Sequence, residues 1–223
     1  MMGVTCRSFS TIGVLTMTNP SPGRKQQRVP TRVEPRLMFR EVTRERLDDF
    51  VALFESRGAP KACWCMVWPA APAEIRKAKG PARKAAMTAR IKKGVRVGIL
   101  GYLDDEPVAW CSIAPRDTYR DLGGEDARPD EQVWSIVCFF IKREHRGQGL
   151  FNRLLLAAIR HARSAGATRI EAYPVDPDSP SYRFMGFVPS FEEAGFVEIG
   201  RAGGRRHVMR LTLKKSRTRP AKT

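Results

Sequence analysis

At 223 residues, 42% hydrophobic and 28% charged, the chain is long enough to bury the core of one domain and short for two. Its formal charge of +17 raises nucleic-acid binding, but residues 1–33 hold five Lys or Arg and residues 201–223 hold nine, neither segment with an acid, which leaves +3 for residues 34–200 and argues against a nucleic-acid-binding face on the folded middle. Five cysteines, at 6, 63, 65, 111 and 138, speak for a reducing cytoplasm and against disulfide staples; the Cys63-x-Cys65 spacing lacks the second ligand pair of a structural zinc site, and no apolar run is long enough to span a membrane.

Residues 1–33, rich in Pro, Gly and basic side chains after a short apolar patch, are read as a disordered leader, with Met17 as an alternative start. The folded domain is expected over 34–213 and a basic disordered tail over 214–223. "LMFREV" (37–42) predicts a strand, and "TRERLDDFVALFES" (43–56) a helix with Leu47, Phe50, Val51 and Phe54 on one face. After "GAPKACWCMVWPA" (58–70), residues 71–94 read as one or two amphipathic helices, broken or bent near Gly80 and Pro81. Two apolar runs around "DDEP" (104–107) predict a hairpin, and a long polar loop follows at 115–131. "QVWSIVCFFIK" (132–142) is too apolar and β-branched for an edge, so it is placed in the centre of the sheet. A helix over 150–165 closes at Gly166, and a strand over 168–175, a short helix over 189–195 and strands over 196–200 and 207–213 complete the order β-α-α-β-β-β-α-β-α-β-β.

The stretch "CFFIKREHRGQGLFNRLLLAAIRHAR" (138–163) carries the chemistry. A helix starts with N–H groups that have no partner within it and with partial positive charge from its aligned dipoles. Gly147 and Gly149 remove side chains where a ligand would approach the backbone, and Arg146 adds a planar donor fork, so the turn reads either as a pyrophosphate cradle or as a tight strand-to-helix turn.

In this order of elements, over about residues 36–213, the chain resembles the GNAT N-acetyltransferase superfamily. The family's Arg/Gln-x-x-Gly-x-Gly/Ala segment reads here Arg146, Gly147, Gln148, Gly149, Leu150, Phe151, with Phe151 in place of a small residue, and "FEEAGF" (191–196) falls where the family carries an aromatic-x-x-x-Gly-Phe signature. The resemblance implies an α/β fold whose central mixed sheet is splayed between two parallel strands and flanked by helices. It implies acetyl-CoA as co-substrate, its pyrophosphate on the N–H groups of residues 146–151 and its pantetheine arm on the backbone of Phe139, Phe140 and Ile141. It further implies direct attack by a primary amine, on a small molecule or a peptide, without a metal, and allows a homodimer.

Where many relatives have an acidic tyrosine, this chain has Phe191, so Tyr182 and Tyr173 are the candidate acids, and Glu171 and Asp176 the candidate bases. Trp64, Met66 and Trp68 are candidates for the acceptor wall. The loop 115–131 holds six acids against Arg116, Arg120 and Arg128, a hint at a cationic acceptor. Phe151 and Phe191 leave open a non-catalytic acyl-CoA-binding module, and the basic ends a nucleic-acid-associated protein. The chain has neither the G-x-G-x-x-G of a dinucleotide fold nor a phosphate-loop G-x-x-x-x-G-K-[ST].

Overall fold

Seven strands form one sheet in the order β1-β2-β3-β4-β5-β7-β6 in a computed structural model, which describes residues 36–70 and 79–214. The strands are β1 (Leu37–Glu41), β2 (Ile99–Leu103), β3 (Glu106–Pro115), β4 (Val133–Ile141), β5 (Arg169–Ala172), β6 (Val197–Ala202) and β7 (Arg206–Thr212). Only β4 and β5 run parallel; every other neighbouring pair is antiparallel. The helices among the described residues are α1 (Leu47–Glu55), α2 (Gly80–Lys92), α3 (Leu150–Ser164) and α4 (Val188–Glu193). This is the mixed, helix-flanked sheet expected. The leader, the segment 71–78 of the expected helix, and residues 215–223 of the tail lie outside the described residues.

At Gly80 and Pro81, near which the helical stretch was expected to break or bend, α2 begins, because proline's fixed φ and missing N–H suit a first turn. Two differences from expectation have local causes. The strand expected over 168–175 keeps its ladder only to Ala172; Pro174 brings no N–H, and Val175 makes isolated bridges to Phe187 and Arg206. Four of the nine basic residues assigned to the C-terminal end, Arg201, Arg205, Arg206 and Arg210, belong to the β6–β7 hairpin, so part of that charge is on the fold.

Each sheet face buries its own layer. On one, α3 lays Leu150, Leu154, Leu155, Ala158, Ile159 and Ala162, recurring at helical spacing, over Ile136, Phe139, Ile170 and Ala172. Leu154 and Leu155 are buried, each stabilising by about 1.5–3 kcal/mol. On the other face, Phe50, Leu53 and Phe54 of α1 meet Trp64, Trp110 and Phe140. β4 serves both layers by changing step. Ser112 of β3 faces Cys138 and Ile113 faces Ile136, so Val137 is an unmatched extra residue, a β-bulge. Before it Trp134 and Ile136 face α3; after it Phe139 does, while Val137, Cys138 and Phe140 join the opposite layer.

Candidate active site

The bulge marks the place where β4 leaves its parallel partner. Pairing runs from Val133 opposite Arg169 to Ile136 opposite Ala172 and ends there, so residues 137–141 have no β5 neighbour. The Lys142 N–H donates to the Val108 carbonyl of β3, and peptide groups alternate between the two edges of a strand. By that alternation Phe139 and Ile141 turn their peptide groups into the gap. Phe140, grouped with them by the sequence, is set apart: its peptide groups face Trp110 on β3.

Beyond β4 the chain makes a short 3-10 turn (Arg143–His145), then an extended Arg146, and reaches α3 through Gly147 and Gly149. Both glycines are left-handed, with φ of +74° and +71°, and a Cβ on either would meet nothing within 4 Å. They are required by backbone conformation, not by crowding. Gly149 caps α3 without a side-chain hydrogen bond, and the first turn carries no acid. Its N–H groups therefore face outward with dipole and charge favourable to an anion. Arg146 ties this turn to the open strand edge, its Nε donating to the Ile141 carbonyl at 2.9 Å. The Gln148 amide turns back to the Glu144 carbonyl at 3.0 Å.

Leu150 is buried under the helix, and Phe151 turns inward too. Its ring lies 4.6 Å from that of Phe139 and 6.3 Å from that of Phe191. The room comes from Gly186, where a Cβ would stand 2.8 Å from the Phe151 ring and 2.7 Å from that of Phe191. The larger residue is thus accommodated in the core, and its N–H stays at the helix start. Phe191 is fully buried among Phe139, Phe151 and Phe196.

Tyr173 follows the last paired residue of β5 and is fully buried. Its hydroxyl donates to Glu171 Oε2 at 3.1 Å and accepts from Ser135 at 3.3 Å. Burial, then the Glu171 charge, raises its pKa well above the usual phenol range. Glu171, also fully buried, lies 3.2 Å from Arg116 Nη1 and 3.3 Å from Arg169 Nη2, with Arg210 at 4.0 Å. A Cβ on Gly124 would strike its carboxylate, so the loop packs directly on it. Asp176, the other candidate base, lies 3.1 Å from His207 Nε2.

The loop 116–131 is held by ion pairs that span long stretches of sequence. Glu131 binds Arg169 at 2.8 Å and Arg128 at 2.9 Å, Glu125 binds Arg210, and Asp121 accepts the Gly123 N–H at 2.8 Å. Three of the six acids that hinted at a cationic acceptor, Asp121, Glu125 and Glu131, are thus committed to the protein's own donors.

Trp64, Met66 and Trp68 are all buried in the layer opposite α3. Trp64 stacks on Phe54 at 5.4 Å and Met66 packs beneath, so both are core. Trp68 differs. Its ring carries the guanidinium of Arg120 at 4.6 Å and that of Arg206 at 4.7 Å, and it stacks with Tyr182 at 6.2 Å. Its buried Nε1 has no hydrogen-bond partner. Tyr182 is 38% exposed, has φ of +59°, and opens the 3-10 turn Arg183–Met185, whose Met185 packs with Cys138 and Phe140. Arg120 and Arg206 carried no signal in the sequence. Cys63 and Cys65 lack the lowered pKa of a reactive thiol, since burial pushes the Cys63 thiol up to about 11 and raises that of Cys65 well above its ordinary value. A surface groove of about 610 Å³ between β1 and the far half of α3 holds none of these residues.

The acetyltransferase (GNAT) family model matches residues 60–187. An uncharacterized protein from Bacillus halodurans shares the fold, with 16% identity and a TM-score of 0.52 over 79% of this chain and 83% of its own. Aminoglycoside acetyltransferase AAC(6')-Ib in complex with coenzyme A aligns at 17% identity and a TM-score of 0.52, over 79% and 95% of the two chains. The same enzyme with paromomycin and acetyl-CoA aligns at 17% identity and 0.52, over 79% and 93%. At such identities the likeness is one of fold. No curated protein sequence matches the chain.

Proposed function

Because the chain belongs to the acetyltransferase (GNAT) family and is therefore an acyltransferase, we propose that it moves the acetyl group of acetyl-CoA to a primary amine by direct attack in a ternary complex. The observation that carries this is the parting of β4 from β5 after Ile136 and Ala172, beside a helix start whose N–H groups no side chain caps. AAC(6')-Ib, which has this fold, is recorded with coenzyme A. The residues fit such a ligand. The N–H groups of Phe139 and Ile141 turn into the gap toward the amides of the pantetheine arm, the Ile141 carbonyl being taken by Arg146. The N–H groups of residues 147–151, with Arg146 beside them, suit the pyrophosphate.

Bound acetyl-CoA supplies an acyl group already activated as a thioester. The chain positions it and manages protons. As the new N–C bond forms and the C–S bond breaks, the amine proton passes to water and Tyr182 Oη gives its proton to the departing sulfur. Tyr182 is the tyrosine whose hydroxyl is not committed, whereas Tyr173 is bonded to Glu171 and Ser135. Glu171 holds Tyr173 and the loop in place. A reducing cytoplasm suits the described cysteines, Cys63, Cys65, Cys111 and Cys138, all free thiols.

Gly149→Asp tests the cradle. Aspartate tolerates a left-handed backbone and puts a carboxylate where the pyrophosphate would lie. Calorimetry should show acetyl-CoA affinity reduced by on the order of 100-fold, with melting lowered by no more than the strain of about 1–2 kcal/mol that a side chain meets in a left-handed backbone. Unchanged affinity in the folded variant would remove the cradle, and with it this reading.

A further inference from the structure

Two guanidiniums lie against one indole, and no carboxylate of a described residue is paired with either. Arg120 and Arg206 stand 4.6 and 4.7 Å from the Trp68 ring centroid. Arg206 Nη1 has only the Leu122 carbonyl, at 3.4 Å, and the Arg120 backbone is fixed by its N–H bond to the Trp68 carbonyl, at 3.0 Å. Asp121, the nearest acid in sequence, accepts the Gly123 N–H, and its charge reaches Arg206 at longer range. The arginines around Glu171 share a carboxylate; here two cations share only an aromatic face. Burial, and to a lesser degree Arg120 itself, depress the Arg206 pKa, so the charge is held at a cost. Trp68 is 5% exposed, and its unpartnered Nε1 is one more donor without an acceptor in the same cluster.

The cluster lies on the acceptor side of the gap. Trp68 and Tyr173 share the layer that holds Val137, Cys138 and Phe140, opposite α3 and its glycine turn. Tyr182, stacked on Trp68, also has Arg206 5.7 Å from its ring centroid. What this place lacks is negative charge, and a planar donor fork is suited to an oxyanion.

We propose that Arg120 and Arg206, held over the Trp68 indole, bind an oxyanion of the acceptor, so that the substrate is an amine that also carries a carboxylate or phosphate group. The proposal rests on reading the chain as an acetyltransferase whose acceptor enters from the Trp68 side. It selects against the purely cationic acceptor at which the acid-rich loop hinted.

Matched acceptors test it: free amino acids against their amides, and ethanolamine phosphate against ethanolamine, followed by thiol release from acetyl-CoA with the full chain. The anionic member of a pair should be favoured at least about tenfold in kcat/KM, and which pair responds separates carboxylate from phosphate. Arg120→Gln and Arg206→Gln should each lower kcat/KM for the member that carries the oxyanion by about tenfold to a hundredfold, through KM, and lower that of the member lacking it far less. Arg206→Lys, which keeps the charge and loses the fork, should recover part of the loss and guards against a folding defect. Amides accepted as well as acids by the unaltered protein, or both members weakened alike in the variants, would overturn the clamp. Calorimetry on the same samples separates the two readings. Acids that bind the unaltered protein but not Arg120→Gln support the clamp even without turnover, and acids that bind neither overturn it. Acetyl-CoA that fails to bind overturns the acetyltransferase reading instead.

Discussion

Arginines gather at two places on the sheet face opposite α3, and the two groups differ in what answers their charge. Arg116, Arg169 and Arg210 surround Glu171, with Glu131 and Glu125 completing the set. Arg120 and Arg206 flank Trp68 with no acid between them. The first group is closed: it draws the loop 116–131 onto β5 and β7 and needs nothing from outside. The second is open, and its Trp68 shares the layer of Val137, Cys138 and Phe140, the residues of β4 that follow its last pairing with β5. Charge balanced within the chain holds a fold together, whereas charge left unbalanced at a gap in a sheet is available to a ligand.

The largest expected effect comes from emptying the closed group. In Glu171→Gln, Arg169, only 4% exposed, would lose its innermost counter-charge, and Arg116 and Arg210 would share the loss. Removing one partner from a buried ion pair costs about 3–5 kcal/mol, which denaturant unfolding would register directly. A fully stable Glu171→Gln protein that had lost only turnover would instead return Glu171 to the role of general base.

The two tyrosines differ in the same way at smaller scale. Tyr182→Phe removes a hydroxyl that no described residue binds, so turnover should fall on the order of 100-fold with stability and acetyl-CoA affinity held. Tyr173→Phe strips a donor from Glu171 and an acceptor from Ser135, and should cost about 1–3 kcal/mol of stability. If Tyr173→Phe alone impaired turnover in a stable protein, the acid would be Tyr173 and not Tyr182.

The closed group is also the part that the sequence conceals. The elements on the α3 side were readable because a single helix repeats Leu150, Leu154, Leu155, Ala158 and Ile159 at its own period, after a strand too apolar for an edge. The glycine turn was readable for the same reason: its residues are consecutive. The bulge at Val137 was not, because every neighbour is apolar and a change of face leaves no mark on an unbroken apolar run. The loop's acids summed to a net charge in sequence, yet Glu125 answers Arg210 and Glu131 answers Arg169, partners 85 and 38 residues away. The space for Phe151 depends on Gly186, 35 positions on, and the clamp on Arg120 and Arg206 meeting over Trp68. Pairings of this kind exist only after the strands are in place.

The smallest expected effect lies at the outer rim of the closed group. Glu131 accepts the Arg128 backbone N–H at 3.0 Å, and that bond, followed by the charges of Arg169 and Arg128, holds its carboxyl below the ordinary value of 4.5. Glu125 is lowered similarly by its hydrogen bond to Arg210. A carboxyl depressed in the folded state contributes stability that is complete above its unfolded pKa and disappears as pH falls through the folded one. Melting temperature should therefore be nearly level from about pH 7 to about pH 5 and decline below 4.5 as these pairs are protonated. Glu131→Gln keeps an acceptor oxygen but cannot titrate, and Arg169 retains Glu171, so the variant should lose less at neutral pH than Glu171→Gln and show a shallower decline in acid. Superimposable pH profiles for the variant and the unaltered protein would mean that the Glu131 pairs contribute nothing measurable. The loop would then be held by Glu171 and its arginines alone, and the closed group would be smaller than its geometry indicates.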